Sequence, residues 1–434
     1  MIRIGEYPSV FRGGKRSKQE FILGVMKDFI TNNQCIIISC LQKLSFGCPA
    51  DYPRLEALLE DASPGLGVAG TCRDDAAFWL YSSGTTGAPK GIVHLHHDMA
   101  VIAEQYAKQT LHLNESDLSF SVAKLFFAYG LGNGLYFPLW VGGTSVLFPG
   151  KPLPEAVFRV IDQYRPTVFY SVPTSYAALL QAAQKRERTS LGRVRLCVSA
   201  GEPLPKPIFE RWLDRFGVEI LDGIGSTEAL HIFISNRPGE ARGGSAGRTV
   251  PGYDARIVDD EGSELPPTEV GTLLIRGDSI TSGYWNKHKQ TKETILGEWI
   301  DTRDKFWVGE DGFYYYAGRS DDMMKVSGQW VWPTDVEAVL KEHPAVLESG
   351  VAGIPDEDDL LKPAAYIVLD EGYTPSSKLA LELQAFVKNN TNPYKYPRWI
   401  EFVDDLPKTA TGKIQRFKLR EMGRKQRPTY SDKV

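Results

Sequence analysis

From Ala76 onward the chain alternates between short apolar runs and stretches whose apolar residues recur every three or four positions. The segments "AAFWLYSS" (76–83), "TSVLFPG" (144–150) and "PTVFYSVP" (166–173) are short and continuously apolar, so they predict buried strands. In "PEAVFRVIDQYR" (154–165) and "SYAALLQAAQKR" (175–186) the spacing is that of amphipathic helices. Strand, helix and strand then follow as "RVRLCVSAGEPLP", "PIFERWLDRFG" and "VEILDGIGSTE". This alternation predicts an α/β fold with parallel sheets covered by helices.

After residue 240 the texture changes. "YDARIVDDEGSELP" carries an Asp-Glu-Gly turn and "VGTLLIRGDS" follows it, which predicts a small β-rich subdomain over about 240–318. Residues 319–434 hold the helix "PTDVEAVLKEHPAV", the strands "LESGVAGIP" and "AAYIVLD", and the helix "SKLALELQAFVKNN". They predict a small α+β C-terminal domain. Residues 1–73 lack such regularity, so the division is an atypical segment 1–73, a large domain 74–318 and a small domain 319–434.

Composition narrows the function classes. At 42% hydrophobic and 24% charged, the 434 residues can fill ordinary cores. A net charge of −4 provides no general field for nucleic acid or anionic lipid. The runs "FILGVM" and "CIIISCL" fall well short of the ~20 residues a membrane span needs. Cysteines 35, 40, 48, 72 and 197 show no CxxC spacing, so reduced thiols in a cytoplasmic protein are expected rather than disulfides or a zinc site.

The chemistry concentrates in "SSGTTGAPKG" (82–91). Pro89 occupies the place where a Walker loop needs glycine before its lysine, so that register is excluded. Ser82, Ser83, Thr85 and Thr86, the glycines 84, 87 and 91, and Lys90 still offer hydroxyls, bare backbone and a cation. Alone, such a stretch reads equally as a phosphate-holding loop or a flexible surface turn.

Four further segments decide between these readings: "SAGEPLP" (199–205), "GIGSTE" (223–228), "YAGRSDDMMKVSG" (316–328) and "PKTATGKIQR" (407–416). In order and spacing the five resemble the adenylate-forming acyl-CoA synthetase superfamily, over residues 74 to 420. "AKLFFAYGLGNGLYFPL" (123–139) and "GSTEALHIFISNRPGE" (225–240) look like benzoate-CoA ligases and their hydroxybenzoate relatives. The resemblance implies a two-step reaction using ATP, Mg²⁺ and coenzyme A: a carboxylate is adenylated, then a thiol displaces AMP. It also implies a small C-terminal domain that rotates between the steps.

Residue roles come with the resemblance. Ser82, Ser83, Gly84, Thr85, Thr86, Gly87 and Lys90 are expected to hold the β and γ phosphates, Thr227 to touch the α-phosphate, and Glu228 to hold Mg²⁺. Gly201, Glu202 and Pro203, with Asp222, Gly223 and Ile224, are expected to frame adenine, and Asp304 and Arg319 to hold the ribose. Lys413 is the expected catalytic cation; by itself it reads as one more charge in a basic tail. Asp321 matches the hinge and Gly328 the pantetheine tunnel. Ala128, Tyr129, Phe137, Gly225, His231 and Ile232 are expected to surround a flat aromatic carboxylate. His231 reads equally as core packing or as a partner for a ring substituent, which leaves benzoate and hydroxybenzoate unseparated.

Two features depart from the family pattern. Arg303 in "DTRD" stands where a glycine is usual before the ribose-binding aspartate. The phosphate loop also begins near residue 81, earlier than in full-length relatives, which implies a shortened large domain, with a homodimer as one way to cover apolar surface. The rival expectations are a catalytically impaired nucleotide-binding or interaction protein, an adenylation enzyme loading a carrier-protein thiol, and a luciferase-like oxygenase. The chain ends some twenty residues after the lysine motif with no carrier domain, which favours free coenzyme A.

Overall fold

The computed structural model describes residues 9–12, 70–83, 89–184, 190–319, 322–326, 329–356, 360–408, 414–425 and 428–431. Its largest sheet has eight strands in the spatial order Ser9–Arg12, Thr144–Leu147, Leu118–Ser121, Val168–Ser171, Leu196–Ser199, Ile220–Gly225, Ile232–Ser235 and Arg248–Thr249. The five from Thr144–Leu147 to Ile220–Gly225 run parallel, and the flanking strands pair antiparallel.

Val168–Ser171 and Leu196–Ser199 are buried at every position. Successive side chains of a strand point to opposite faces. Val168, Tyr170, Leu196 and Val198 therefore enter one apolar cluster, while Phe169 and Cys197 enter another. A core on each face is why the sequence shows apolar runs here and no alternation.

The covering helices follow their apolar stripes. Pro154–Tyr164 buries Val157, Phe158, Val160 and Ile161 and begins on proline, whose missing N–H costs nothing in a first turn. Lys206–Phe216 ends at Gly217, whose φ of 69° is the left-handed cap that glycine takes without penalty. Tyr176, on the helix Pro173–Gln184, and Trp212, on Lys206–Phe216, meet edge to face at 4.7 Å.

Two smaller sheets complete this part. One has three strands in the order Gly283–Tyr284, Pro89–Leu95, Ala76–Ser83. The other joins Asp254–Val258, Gly271–Arg276, Trp299–Val308 and Ile295–Leu296, with Tyr314–Arg319 paired to Trp299–Val308. Its long strand bulges: Thr272 faces Lys305, yet Leu274 faces Asp301, so Thr302, Arg303 and Asp304 oppose the single residue Leu273 on that side.

The C-terminal part has its own core, with Val336, Leu340, Val351, Ile367, Leu383 and Ile400 in one cluster. Its four-stranded sheet runs Val346–Pro355, Leu361–Leu369, Trp399–Phe402, Tyr430–Ser431. The helix Ser377–Asn390 is capped by Ser376, whose hydroxyl accepts the Leu379 N–H at 3.2 Å. Among the described residues no helix is long and apolar enough to cross a membrane. Cys197 is buried and free, Cys72 exposed and free, and Cys35, Cys40 and Cys48 lie outside the described residues.

Candidate active site

Strands Ala76–Ser83 and Pro89–Leu95 form an antiparallel pair in which Ser82 faces Lys90 and Ser83 faces Pro89. Lys90 therefore stands on a strand, not at a helix start. Gly84, Thr85, Thr86 and Gly87 lie outside the described residues, as does the Ser83 side chain. Lys90 Nζ lies 4.3 Å from the centre of the Tyr284 ring and 3.9 Å from Glu228 Oε1. The Tyr284 hydroxyl donates to the same oxygen at 2.8 Å. Burial first, and then the Glu228 carboxylate, hold that hydroxyl protonated far above the usual phenol range, so it remains a donor. Lys90 and Glu228 keep 21% and 17% side-chain exposure, sheltered but reachable by a ligand.

Thr227 and Glu228 sit on a tight turn after the strand Ile220–Gly225. The Leu230 N–H donates to the Thr227 carbonyl at 3.1 Å, and the Ala229 N–H donates to Ser226 Oγ at 3.1 Å. Gly201 likewise follows the neighbouring parallel strand Leu196–Ser199, with φ 95°. Both segments lie at carboxyl ends of adjacent parallel strands, where open α/β sheets bind ligands. Glu202 Oε2 accepts the Thr174 hydroxyl at 3.1 Å, and Pro203 is exposed beside it.

Asp222 is buried, with Oδ2 accepting the Leu204 N–H at 3.1 Å. Burial pushes its carboxyl up to about 7, against the opposing pull of that hydrogen bond. A Cβ on Gly223 would lie 2.8 Å from the Ile234 carbonyl oxygen, so the two strands meet more closely there than a side chain permits. Ile224 is half-buried. On the β-rich sheet Asp304 and Arg319 are cross-strand partners, and the guanidinium donates to Asp304 Oδ1 at 3.1 Å. Arg303 beside them takes φ 59° in the bulge, its N–H held by Asp301 Oδ1 at 2.7 Å.

The expected acyl pocket gathers around His231. Its ring centre lies 4.6 Å from that of Phe137, 5.2 Å from Tyr106 and 5.4 Å from Tyr129. Nε2 is 3.2 Å from the Tyr129 carbonyl and from Asn133 Oδ1, both acceptors, so Nε2 carries the proton. Burial pushes the imidazole down to about 3, which keeps it neutral at pH 7. The Tyr129 hydroxyl reaches the Ser171 and Val198 carbonyls at 3.2 and 3.1 Å, tying the pocket to two parallel strands. Ala128 opens the short helix that carries Tyr129. Gly225 is exposed and faces buried Ile232 across the ladder; a Cβ on it would lie 2.4 Å from the His231 carbonyl oxygen.

Lys413, Asp321 and Gly328 lie outside the described residues. Close by, Arg416 donates to both Glu337 oxygens, at 2.9 and 2.7 Å, and Arg420 donates to Asp322 at 2.9 Å. Sequence reasoning missed Tyr284, because nothing in its local spacing ties it to a glutamate fifty-six residues earlier. It also missed His94 and Asp98, although an i, i+4 pair in "HLHHD" was visible.

The AMP-binding enzyme profile matches residues 42–285, and that of the AMP-binding enzyme C-terminal domain matches 335–413. The benzoate–CoA ligase of Thauera aromatica is 53% identical over 384 residues, covering 88% of this chain and 73% of that protein. The 4-hydroxybenzoate–CoA/benzoate–CoA ligase of Rhodopseudomonas palustris is 47% identical over 375 residues, covering 86% and 69%. Among solved structures, a benzoate CoA ligase from Burkholderia xenovorans superposes with a TM-score of 0.78 at 48% identity, covering 89% of this chain and 78% of that one. An anthranilate CoA ligase in complex with anthranoyl-AMP gives 0.80 at 46%, covering 86% and 72%.

Proposed function

The chain belongs to the AMP-binding enzyme family, and from that premise we propose that it converts benzoate, or a small ring-substituted benzoate, to its coenzyme A thioester. The carboxylate oxygen attacks the α-phosphorus of ATP, and pyrophosphate leaves. The thiol of coenzyme A then attacks the acyl carbon of the adenylate, and AMP leaves. Both steps build negative charge around phosphorus or an acyl oxygen, so the protein contributes mainly positioning and cations.

One observation supports the reading: Gly225, His231 and Ile232, proposed for the aromatic slot, and Thr227–Glu228, proposed for the phosphate end, lie on a single strand–turn–strand. A flat acyl group lodged against His231 and Phe137 thereby presents its carboxylate to a phosphate near Thr227. Lys90 and Lys413 are the proposed cations, Asp304 and Arg319 the ribose partners, and Gly201 to Pro203 with Asp222 to Ile224 the adenine frame. Asp321 is the proposed hinge, and Gly328 the proposed wall of the thiol channel.

Glu228 fits a Mg²⁺ ion carried in with the nucleotide. Among the described residues no group of three or more His, Cys, Asp or Glu could hold a metal alone. Mg²⁺ commonly takes one or two carboxylates plus phosphate oxygens and water. When bound, the ion neutralises phosphate charge.

Purified protein incubated with ATP, Mg²⁺, coenzyme A and benzoate is expected to yield benzoyl-CoA and pyrophosphate, with octanoate a poor substrate. Absence of aryl carboxylate-dependent pyrophosphate release, or preference for octanoate, overturns the reading.

A further inference from the structure

Behind the Thr227–Glu228 turn lies a histidine–aspartate pair that the proposed reaction does not use. His94, on the strand Pro89–Leu95, and Asp98, in the helix His96–Ile102, are both completely buried. His94 Nδ1 is 2.8 Å from Asp98 Oδ2, and Nε2 is 2.8 Å from the Thr227 carbonyl oxygen. Carboxylate and carbonyl stand at opposite nitrogens of the ring, which bridges the two groups. Phe78 stacks on the imidazole at 5.4 Å and 28°. Asp98 is fixed from other directions: the Leu95 N–H donates to Oδ2 at 3.0 Å, and His97 Nε2 stands 3.3 Å from Oδ1.

We propose that His94 is a positioning residue for adenylation: braced by Asp98, it holds the Thr227 carbonyl and so sets where the Thr227 hydroxyl and Glu228 carboxylate stand. The inference rests on the function proposed above. Within the turn the bonds are at 3.1 to 3.3 Å; from outside it the Thr281 N–H donates to the Glu228 carbonyl at 2.7 Å, the Ser279 hydroxyl to the Ala229 carbonyl at 2.7 Å, and His94 holds the Thr227 carbonyl, 133 residues away in sequence, at 2.8 Å. A displacement of about 1 Å at a reacting centre can cost on the order of 10²-fold in rate.

Two near-isosteric variants separate the arms of the bridge. In His94→Asn the amide reaches the place of Nδ1 and keeps Asp98 but not Thr227. In His94→Gln it reaches the place of Nε2 and keeps Thr227. Each is compared with wild type in benzoate-dependent ATP–pyrophosphate exchange and in thioester formation from supplied benzoyl-adenylate, with melting temperature recorded. Expected is a fall in exchange kcat of roughly 10- to 100-fold for His94→Asn, the range seen when a supporting hydrogen bond is lost. The benzoate KM should stay within about threefold, and His94→Gln should recover most of the rate.

Equal exchange rates in the two variants, the reverse order, or equal losses in both half-reactions overturn the proposal. Should His94→Asn fail to fold, Asp98→Asn is the second handle: selective loss of exchange supports the bracing, and full exchange activity overturns it. Wild-type protein without aryl-dependent exchange removes the functional reading itself, and the proposal with it. Wild-type activity with indifferent variants removes the proposal alone.

Discussion

Asp222→Asn tests how the interior treats a charge beside the proposed adenine frame. The carboxyl is buried at the end of the last parallel strand, with the Leu204 N–H donating to it at 3.1 Å. Burial raises it from 3.8 to about 7. At 1.36 kcal/mol per pKa unit, ionising it in the fold costs roughly 4 kcal/mol relative to the unfolded chain. The folded value lies above the unfolded one, so the stabilisation is complete below about pH 4 and is lost as pH rises toward 7. Asparagine keeps the shape and an acceptor for Leu204 but never ionises. Urea unfolding of both proteins from pH 4 to 8 is therefore expected to show the variant gaining on wild type by up to roughly 4 kcal/mol, at no more than about 1.4 kcal/mol per pH unit. A difference that stays flat across this range refutes the buried, neutral-preferring carboxyl.

Two further changes probe backbone constraints. Gly225→Ala puts a Cβ 2.4 Å from the His231 carbonyl oxygen and 2.8 Å from the Ile232 nitrogen, backbone atoms that cannot swing aside. A loss of about 1–3 kcal/mol in stability and a larger loss of benzoate turnover than of ATP binding are expected, read by melting and by exchange kinetics. Arg303→Gly relieves a left-handed φ of 59°, which disfavours a side chain by about 1 kcal/mol or slightly more. After the extra chain entropy of glycine is counted, thermal unfolding is expected to show a gain of a few tenths to about 1 kcal/mol; a clear loss would mean the arginine side chain itself stabilises the bulge.

The legible parts of this sequence are those where one local pattern has one structural outcome. Val168–Ser171 and Leu196–Ser199 are strands covered on both faces, and they read as unbroken apolar runs. Pro154–Tyr164 and Lys206–Phe216 carry apolar stripes and glycine or proline punctuation. Pro89–Leu95 was harder to see. Its burial depends on pairing with two other strands, and His94, near its end, is polar because it serves a carbonyl 133 residues away. Tyr284 belongs to a two-residue strand whose partner is likewise distant. Long-range hydrogen bonds leave no periodicity behind.

The stretch from Asp222 to Ile232 joins the proposed aromatic slot to the proposed phosphate end. The strand Ile220–Gly225 is the last to run parallel, and the chain reverses into Ile232–Ser235 through only six residues. So short a return brings Ile232 directly opposite Gly225 and leaves Thr227 and Glu228 at the carboxyl end of the sheet. The distance from the proposed aromatic slot to the proposed phosphate end is then set by one turn. A substitution that narrows the proposed slot at Gly225 or reshapes it at Ile232 acts on the same segment that carries Thr227, so altered acyl preference and altered adenylation rate should arrive together. Phe137 and Tyr129 come from a separate segment, Ala128–Val141, whose aromatic rings pack against the His231 ring. Reshaping the slot from that side can change which ring substituent fits while leaving the turn in place, so selectivity and rate are separable there.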